Sequence, residues 1–548
     1  MAASAHLDAF AADNLPPRDQ WPEFRFTLPE LRYPERLNCV AELLDRWIEQ
    51  GQGDRACLIA PNETLTYAAL QERVNRIANV LTHDLGMVPG NRVLLRAPNT
   101  PMMAAAWLAV IKAGGVAVAT MPLLRAKELS YPIAKAKIAL ALCDSCLSDE
   151  MEKAKTQSPE LKRVVYWSDN ASGELESLMA KPGYEKFSAC DTAAEDVCLI
   201  AFTSGTTGEP KGTMHFHRDM LATCDSYGRH VLRPDLSDRF IGSPPLAFTF
   251  GLGGHLLFPL RAGASSILIP KATPDEFLAA IEKFRATITF TAPTAYRAML
   301  GKLAPQRIAS LRKCVSAGEP LPRATFEAWH KATGIRILDG IGSTEMLHIF
   351  IGSPEPEVRA GSTGRAVPGY EARIVDDDGN EVPPGTVGRL SVRGPTGCRY
   401  LADKRQRKYV EHGWNLTGDT YSMDSDGYFW YQARSDDMII SSGYNIAGPE
   451  VESALLTHEA VAECGVVGAP DSDRGMIVKA YIVLRAGFTG DMALTKILQE
   501  HVRSTVAPYK YPRAIEYVEA LPKTQTGKLQ RFELRKMAAT TAGQKMAS

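Results

Sequence analysis

What most limits the folds open to this chain is an alternation. From about Leu37 to Ile281, short apolar runs alternate with amphipathic segments of helical period. Arg92–Arg96 (RVLLR) is followed by Met102–Lys112 and then by Val116–Ala119 (VAVA). Ile288–Thr291 followed by Pro293–Leu300 repeats the pattern. Strands joined through helices lie mostly parallel, and strands covered on both faces read as unbroken apolar runs. The predicted class is therefore α/β, built as layered subdomains. Between about Gly361 and Tyr431 the texture changes to short alternating strands such as Glu371–Val375 and Arg389–Arg393, with turn signals at Asp378-Gly379 and Pro384-Gly385. That reads as a small antiparallel β unit. A fresh α/β pattern then runs to Arg535. At 548 residues the chain exceeds one ordinary core. The expected organisation is a large N-terminal domain over residues 1–434, a hinge at 435–437 and a small C-terminal α+β domain over 438–548.

One loop in this frame is chemically loaded. Residues 201–212 read AFTSGTTGEPKG, directly after the apolar run Val197–Phe202. The run is expected to be a buried parallel strand. Glycines let backbone approach a ligand, successive N–H groups make a concave anion site, and hydroxyls and a lysine add donors suited to phosphate. Thr203, Ser204, Gly205, Thr206, Thr207, Gly208 and Lys211 are the candidate phosphate cradle, which implies a nucleotide. The spacing is not that of a Walker A loop, because Gly208 is followed by Glu-Pro-Lys. Nor is there a dinucleotide fingerprint: the pairs Gly340/Gly342 and Gly251/Gly253 lack the third glycine, having Glu345 and Leu256 there.

Further segments follow in order: SAGEP at 316–320, DGIGSTEMLHIF at 339–350, TGD at 417–419, Arg434, SGYNI at 442–446 and LPKTQTGK at 521–528. With the loop, they resemble the acyl-adenylate-forming superfamily of acyl-CoA synthetases, peptide-synthetase adenylation domains and luciferases, across nearly the whole chain. The resemblance implies ATP and Mg²⁺ use with coenzyme A as co-substrate. It places Gly318, Glu319, Pro320, Asp339, Gly340, Gly342 and Ser343 around adenosine, with Asp339 accepting from the adenine amino group. Asp419 takes the ribose hydroxyls, and Arg434 contacts ribose or phosphate. Thr344 meets the α-phosphate and Glu345 binds Mg²⁺; a hard cation needs such oxygen ligands. Read on its residues alone, Glu345 could instead be an acid at a helix N-terminus. Lys528 would be the catalytic cation of adenylation, favoured over the nearby Lys523. Asp436 matches the family's hinge residue, making the C-terminal domain mobile. Gly443 matches a glycine lining a thiol tunnel, and Tyr444, Tyr509 and Tyr511 are candidate CoA contacts.

The acid pocket is expected at Thr249, Phe250, Gly251, Ile341 and His348. The EMLHIF run resembles benzoate-type CoA ligases, and residues 246–253 (LAFTFGLG) resemble their aromatic-lined motif. The N-terminal third, including WPEF at 21–24, resembles 2-aminobenzoate-CoA ligases. His348 either faces a polar ring substituent or is a structural histidine bonded to backbone. The expected activity is an ATP-dependent aryl-CoA ligase releasing AMP and pyrophosphate, with 2-aminobenzoate favoured. Benzoate activation and loading of a carrier protein are the alternatives, and the short stretch after Lys528 disfavours a carrier.

Composition bounds the remaining classes. A formal net charge of -1 gives no broad attraction to nucleic acid or anionic membrane. The apolar stretch from Ala104 to Leu124 is broken by Lys112, Gly114 and Gly115, so a buried helix, a turn and a strand are expected rather than a membrane span. Residues 1–20 carry Asp8 and Asp13 and no basic segment followed by an apolar run, unlike a signal peptide. The ten cysteines are scattered, and Cys143 and Cys146 are expected to be reduced structural thiols. A cytoplasmic monomer or homodimer acting on small molecules is the resulting expectation.

Overall fold

The computed structural model describes residues 2–168, 173–203, 210–434, 437–441, 444–471, 475–506, 508–524 and 527–546. Two large sheets carry the first part of the chain. The six-stranded sheet has the order Arg163–Trp167, Leu140–Asp144, Arg92–Arg96, Val116–Thr120, Val197–Thr203, Lys211–Phe216. Its strands are parallel except the last, which returns antiparallel beside Val197–Thr203. The nine-stranded sheet has a parallel centre that includes Arg239–Gly242, Ile288–Thr291, Lys313–Ser316 and Ile337–Gly342, with antiparallel strands at both edges.

The crossovers explain themselves locally. Helix Pro101–Lys112 starts with Pro at its first position, and the Met103 N–H donates to the Thr100 hydroxyl at 3.2 Å. All of its residues but Met102 are buried, which is why it is apolar on every face. Each fully buried Leu or Val there contributes about 1.5–3 kcal/mol. Lys112 is buried as well, and its ammonium donates to Asp45 at 2.7 Å and Asn75 at 2.8 Å. The helix, the turn and the strand Val116–Thr120 are those expected, and among the described residues no helix is long and apolar enough to cross a membrane.

One expectation is corrected. The 201–212 segment is not all loop: Thr203 pairs with Lys211 in the antiparallel strands of a hairpin, so both of its ends are strand. Asp339–Gly342 also lie in a strand, Ile337–Gly342, which pairs antiparallel with Ile349–Gly352. Ladder pairing of the downstream residues favours both longer strands, a tertiary effect absent from local composition.

The antiparallel unit contains Glu371–Val375, Val387–Arg393, Val410–Glu411, Trp414–Met423 and Phe429–Arg434. Beyond it, Val461–Asp471, Gly475–Leu484 and Ala514–Tyr517 form a small sheet with its own core, including Val466, Ile482 and Leu498. Helices Gly448–Leu455 and Met492–Thr505 pack in this part, the second capped by Asp491, which accepts from the Leu494 N–H at 2.8 Å.

Candidate active site

A cleft of about 1220 Å³ opens where the hairpin, the edge of the nine-stranded sheet, the antiparallel unit and the 521–529 loop meet. Thr203, Lys211, Gly318, Glu319, Pro320, Asp339, Gly340, Ile341, Gly342, Ser343, Glu345, Asp419, Arg434 and Lys528 all face it. Ser204, Gly205, Thr206, Thr207 and Gly208 lie outside the described residues, as do Asp436 and Gly443. Thr203 ends its strand at the cleft with a buried hydroxyl that has no hydrogen-bond partner in the protein.

Glu345 sits in a turn, not in the first turn of a helix, and is 6% exposed. The Tyr400 phenol donates to its Oε1. Lys211 Nζ donates to Tyr400 Oη at 2.8 Å and lies 3.5 Å from the same carboxylate oxygen. Residues 399–401 are laid along the hairpin: Met214 N–H donates to Arg399 O and Leu401 N–H to Gly212 O, both at 2.8 Å. His215 Nε2 is 2.7 Å from the Thr344 carbonyl oxygen, tying the hairpin to the Glu345 turn. Tyr409 stands edge-on to Tyr400 at 5.7 Å and 3.3 Å from the Ser343 hydroxyl. Burial and the Glu345 charge both push the Tyr400 phenol's pKa up, so it remains a donor. A buried carboxylate facing a phosphate-sized cleft fits a hard cation, and both protein contacts fall on one of its two oxygens. Tyr400, Tyr409 and His215 were not identified from sequence.

The opposite wall is acidic. Asp419 and Arg434 are cross-strand partners, 3.2 Å apart. Burial raises the Asp419 pKa despite Arg434. Burial also raises Asp339, whose Oδ1 has no partner in the protein, so it is open to an external N–H donor. Lys528 projects into this wall from a closed turn. Thr524 N–H donates to Lys528 O at 2.8 Å, and Lys528 N–H returns to the Thr524 hydroxyl at 3.1 Å. Gly318 has φ +89°, and a Cβ there would lie 3.6 Å from Lys528 Cε and 3.8 Å from Nζ. The ammonium therefore rests over Gly318. Desolvation in the cleft lowers its pKa, opposed by Glu319 and Asp419 and helped by Arg434. Lys523 is different: it is paired with Glu463 at 2.6 Å.

The expected acid pocket is divided. Ile341 faces the cleft, whereas Thr249, Phe250, Gly251 and His348 are not in its lining. Gly251 is closely packed: a Cβ there would fall 2.1 Å from the Pro245 carbonyl oxygen, near the start of helix Thr249–Leu252. His348 is 3% exposed among Phe258 at 4.6 Å, Tyr227 at 5.6 Å, Phe250 at 5.7 Å and Phe290 at 6.2 Å. Burial drives its pKa down to about 3, so the ring is neutral, and neither nitrogen makes a hydrogen bond of standard geometry. The Phe250 backbone lies close enough to oppose that fall slightly, as the reading of a histidine held by backbone requires. Among the CoA candidates, Tyr511 is corrected: Arg503 covers its ring at 3.8 Å, Arg513 lies 4.8 Å from it, and it packs on the C-terminal core. Tyr509 is 38% exposed, and Tyr444 pairs with Ser441.

Comparison with known proteins agrees with this arrangement. Residues 44–400 match the family described as AMP-binding enzyme, and residues 450–528 match the AMP-binding enzyme C-terminal domain. A benzoate–CoA ligase of Thauera aromatica is 37% identical over 93% of this chain and 98% of its own length. The anthranilate CoA ligase AuaEII, solved with anthranoyl-AMP, superposes with a TM-score of 0.89 at 35% identity, covering 94% of this chain and 100% of that one. A benzoate CoA ligase from Burkholderia xenovorans gives 0.82 at 32% identity, covering 91% and 100%. With the hairpin, the Glu345 turn and the Lys528 loop converging on one cleft, the chain belongs to the AMP-binding enzyme family.

Proposed function

We propose that this protein is an ATP- and Mg²⁺-dependent aryl-CoA ligase, with 2-aminobenzoate as its preferred acid. The observation that carries the reading is the Lys528 ammonium resting over Gly318 in a cleft shared with Asp419, Arg434, Glu345 and Lys211. In the first half-reaction an aryl carboxylate oxygen attacks the α-phosphorus of ATP, and pyrophosphate leaves. Lys528 donates to the carboxylate and α-phosphate oxygens as charge develops there, and a fixed cation in a partly dry cleft is an effective form of such stabilisation. Thr203 and Lys211 hold phosphate oxygens, Asp339 accepts from the adenine amino group, and Asp419 binds the ribose hydroxyls. Glu345 would hold Mg²⁺, whose chemistry is to offset phosphate charge. In the second half-reaction the CoA thiolate attacks the acyl carbonyl and AMP leaves, with Gly443, Tyr444 and Tyr509 assigned to the CoA side.

The roles of Tyr400 and His215 are to hold Glu345 and Thr344 in place. Tyr400→Phe removes a hydroxyl that donates to a buried carboxylate, an interaction worth about 1.5–3 kcal/mol. The expected result is a roughly 10- to 150-fold slower aryl-AMP formation with an unchanged fold. Pyrophosphate exchange at wild-type rate would remove Tyr400 from the site.

The choice of acid rests on two supports. One is the anthranoyl-AMP bound by the anthranilate CoA ligase AuaEII. The other is His348, kept neutral by burial and with neither nitrogen in a hydrogen bond of standard geometry, which with Thr249 is assigned to accept from an ortho amino group. Benzoate would leave that acceptor unpaired, costing about 1–3 kcal/mol. Competitive turnover should therefore favour 2-aminobenzoate by about 5- to 150-fold in kcat/KM. Thr249→Ala should shrink the ratio by harming 2-aminobenzoate. A wild-type preference for benzoate, the acid of the Thauera relative, would refute the acid and leave the ligase reading standing.

A further inference from the structure

A second chemical cluster lies away from the cleft, under the base of the phosphate hairpin. Cys39, Cys198 and His217 come from three separate segments. Cys39 precedes the helical turn Ala41–Asp45, Cys198 lies in Val197–Thr203, and His217 follows directly on Lys211–Phe216. All three are fully buried at 0% exposure. One ligand atom from each lies within 4.8 Å of the others. His217 Nδ1 accepts from the Cys39 N–H at 3.2 Å, while its Nε2 is buried with no hydrogen bond of standard geometry among the described residues. The Cys198 thiol meets the Cys39 thiol and lies 3.6 Å from the His215 carbonyl. The site thus gathers two thiols and an imidazole, from three separate segments, within ligand distance of one another.

We propose that Cys39, Cys198 and His217 form a binding site for a thiophilic divalent cation, with Zn²⁺ as the ion it takes. Two thiolates and a neutral imidazole are a known ligand set for zinc that leaves its fourth position to a water. The charge argument selects the ion. Zn²⁺ with two thiolates is neutral, as a dry interior requires, and both thiol protons leave to solvent on binding. On a tetrahedral ion the sulfurs stand about 3.8 Å apart, from a metal–sulfur distance of about 2.3 Å, so ligand atoms within 4.8 Å need close by only about 1 Å. The bound ion links the segment before Ala41 to both strands of the hairpin. It therefore fixes the hairpin's base without touching its phosphate-binding tip.

Cobalt is the probe. The full-length protein, produced without zinc and refolded with Co²⁺, should retain one equivalent after dialysis. It should show a thiolate-to-cobalt charge-transfer band in the near ultraviolet and tetrahedral d–d bands. Cys39→Ser and Cys198→Ser should lose the charge-transfer band, and Cys146→Ser, at an exposed thiol, should keep it. X-ray absorption of the zinc-loaded wild type gives a readout free of any variant: two sulfurs at about 2.3 Å and nitrogen or oxygen at about 2.0 Å. A wild type that retains neither ion, a zinc shell without sulfur, or a band that survives in both serine variants would overturn the site.

Discussion

Replacing Lys528 with alanine should slow aryl-AMP formation by about 10²–10³-fold, a loss of about 3–4 kcal/mol. Thioester formation from supplied aryl-AMP should stay within a few fold of normal. The asymmetry follows from geometry. The ammonium sits over Gly318 beside Glu319; the proposed role has it meet the carboxylate and α-phosphate there, and the thioester step needs no such cation. Lys523→Ala is the matched control, because its charge is already spent on Glu463 within the C-terminal part. The pH profile adds a second readout. Desolvation holds the Lys528 pKa below the ordinary 10.5, and only the charged form serves. Adenylation is therefore present below the lowered pKa and lost as pH rises through it, so its alkaline limb lies below 10.5. Lys528→Arg should move that limb upward, since a guanidinium stays charged, whatever it does to the maximal rate. Equal damage to both half-reactions by Lys528→Ala would sink the assignment.

Much of this was legible in sequence because the signals are local. The strands Arg92–Arg96 and Ile288–Thr291 and the helix Pro293–Leu300 announce themselves by period and by Pro at a first helical position. The cleft residues were named from the resemblance of several ordered motifs to the acyl-adenylate-forming superfamily, each of them weak alone. What stayed hidden depends on residues distant in the chain. Lys211 belongs to a strand only because Thr203 faces it. Tyr400 lies 55 residues from Glu345 and carries no motif of its own; only Thr213 pairing with Tyr400 brings the phenol to the carboxylate. Gly251 was named as a pocket residue from its neighbours, which do not disclose its close packing on the Pro245 carbonyl. Cys39, Cys198 and His217 have no spacing signature, since three separate segments supply them.

The same long-range contacts predict where the fold is most vulnerable. Arg399 and Asp219 form an ion pair with both side chains at 0% exposure. Arg399 also donates to the Met214 carbonyl at 3.2 Å and lies 3.9 Å over the Phe216 ring, while Asp219 accepts from the Phe216 N–H at 3.0 Å. The pair thus joins the hairpin, the helix His217–Thr223 and the segment that presents Tyr400. Arg399→Met leaves a buried carboxylate without its partner and should cost about 3–5 kcal/mol. Hydrogen exchange at the 214–216 amides would measure it locally, since a chain with several cores need not unfold in two states. Burial pushes the Asp219 pKa up, but the Arg399 charge, with smaller help from His215 and Arg218, outweighs it and holds the carboxyl below the ordinary 3.8. In the wild type the pair's stability is present above that ordinary value and is lost as pH falls through the lowered one. Without Arg399, burial is opposed only by His215 and Arg218, so the pKa rises above its wild-type value and acid relieves part of the undercompensated charge. The deficit of Arg399→Met against wild type should therefore shrink as pH falls from neutral toward the raised carboxyl value. Adding Asp219→Asn should recover part of it at neutral pH, because the amide is uncharged and can still accept from the Phe216 N–H. A deficit that is the same at every pH and is deepened by Asp219→Asn would assign the loss to packing of the guanidinium on Phe216 instead of to the buried charge.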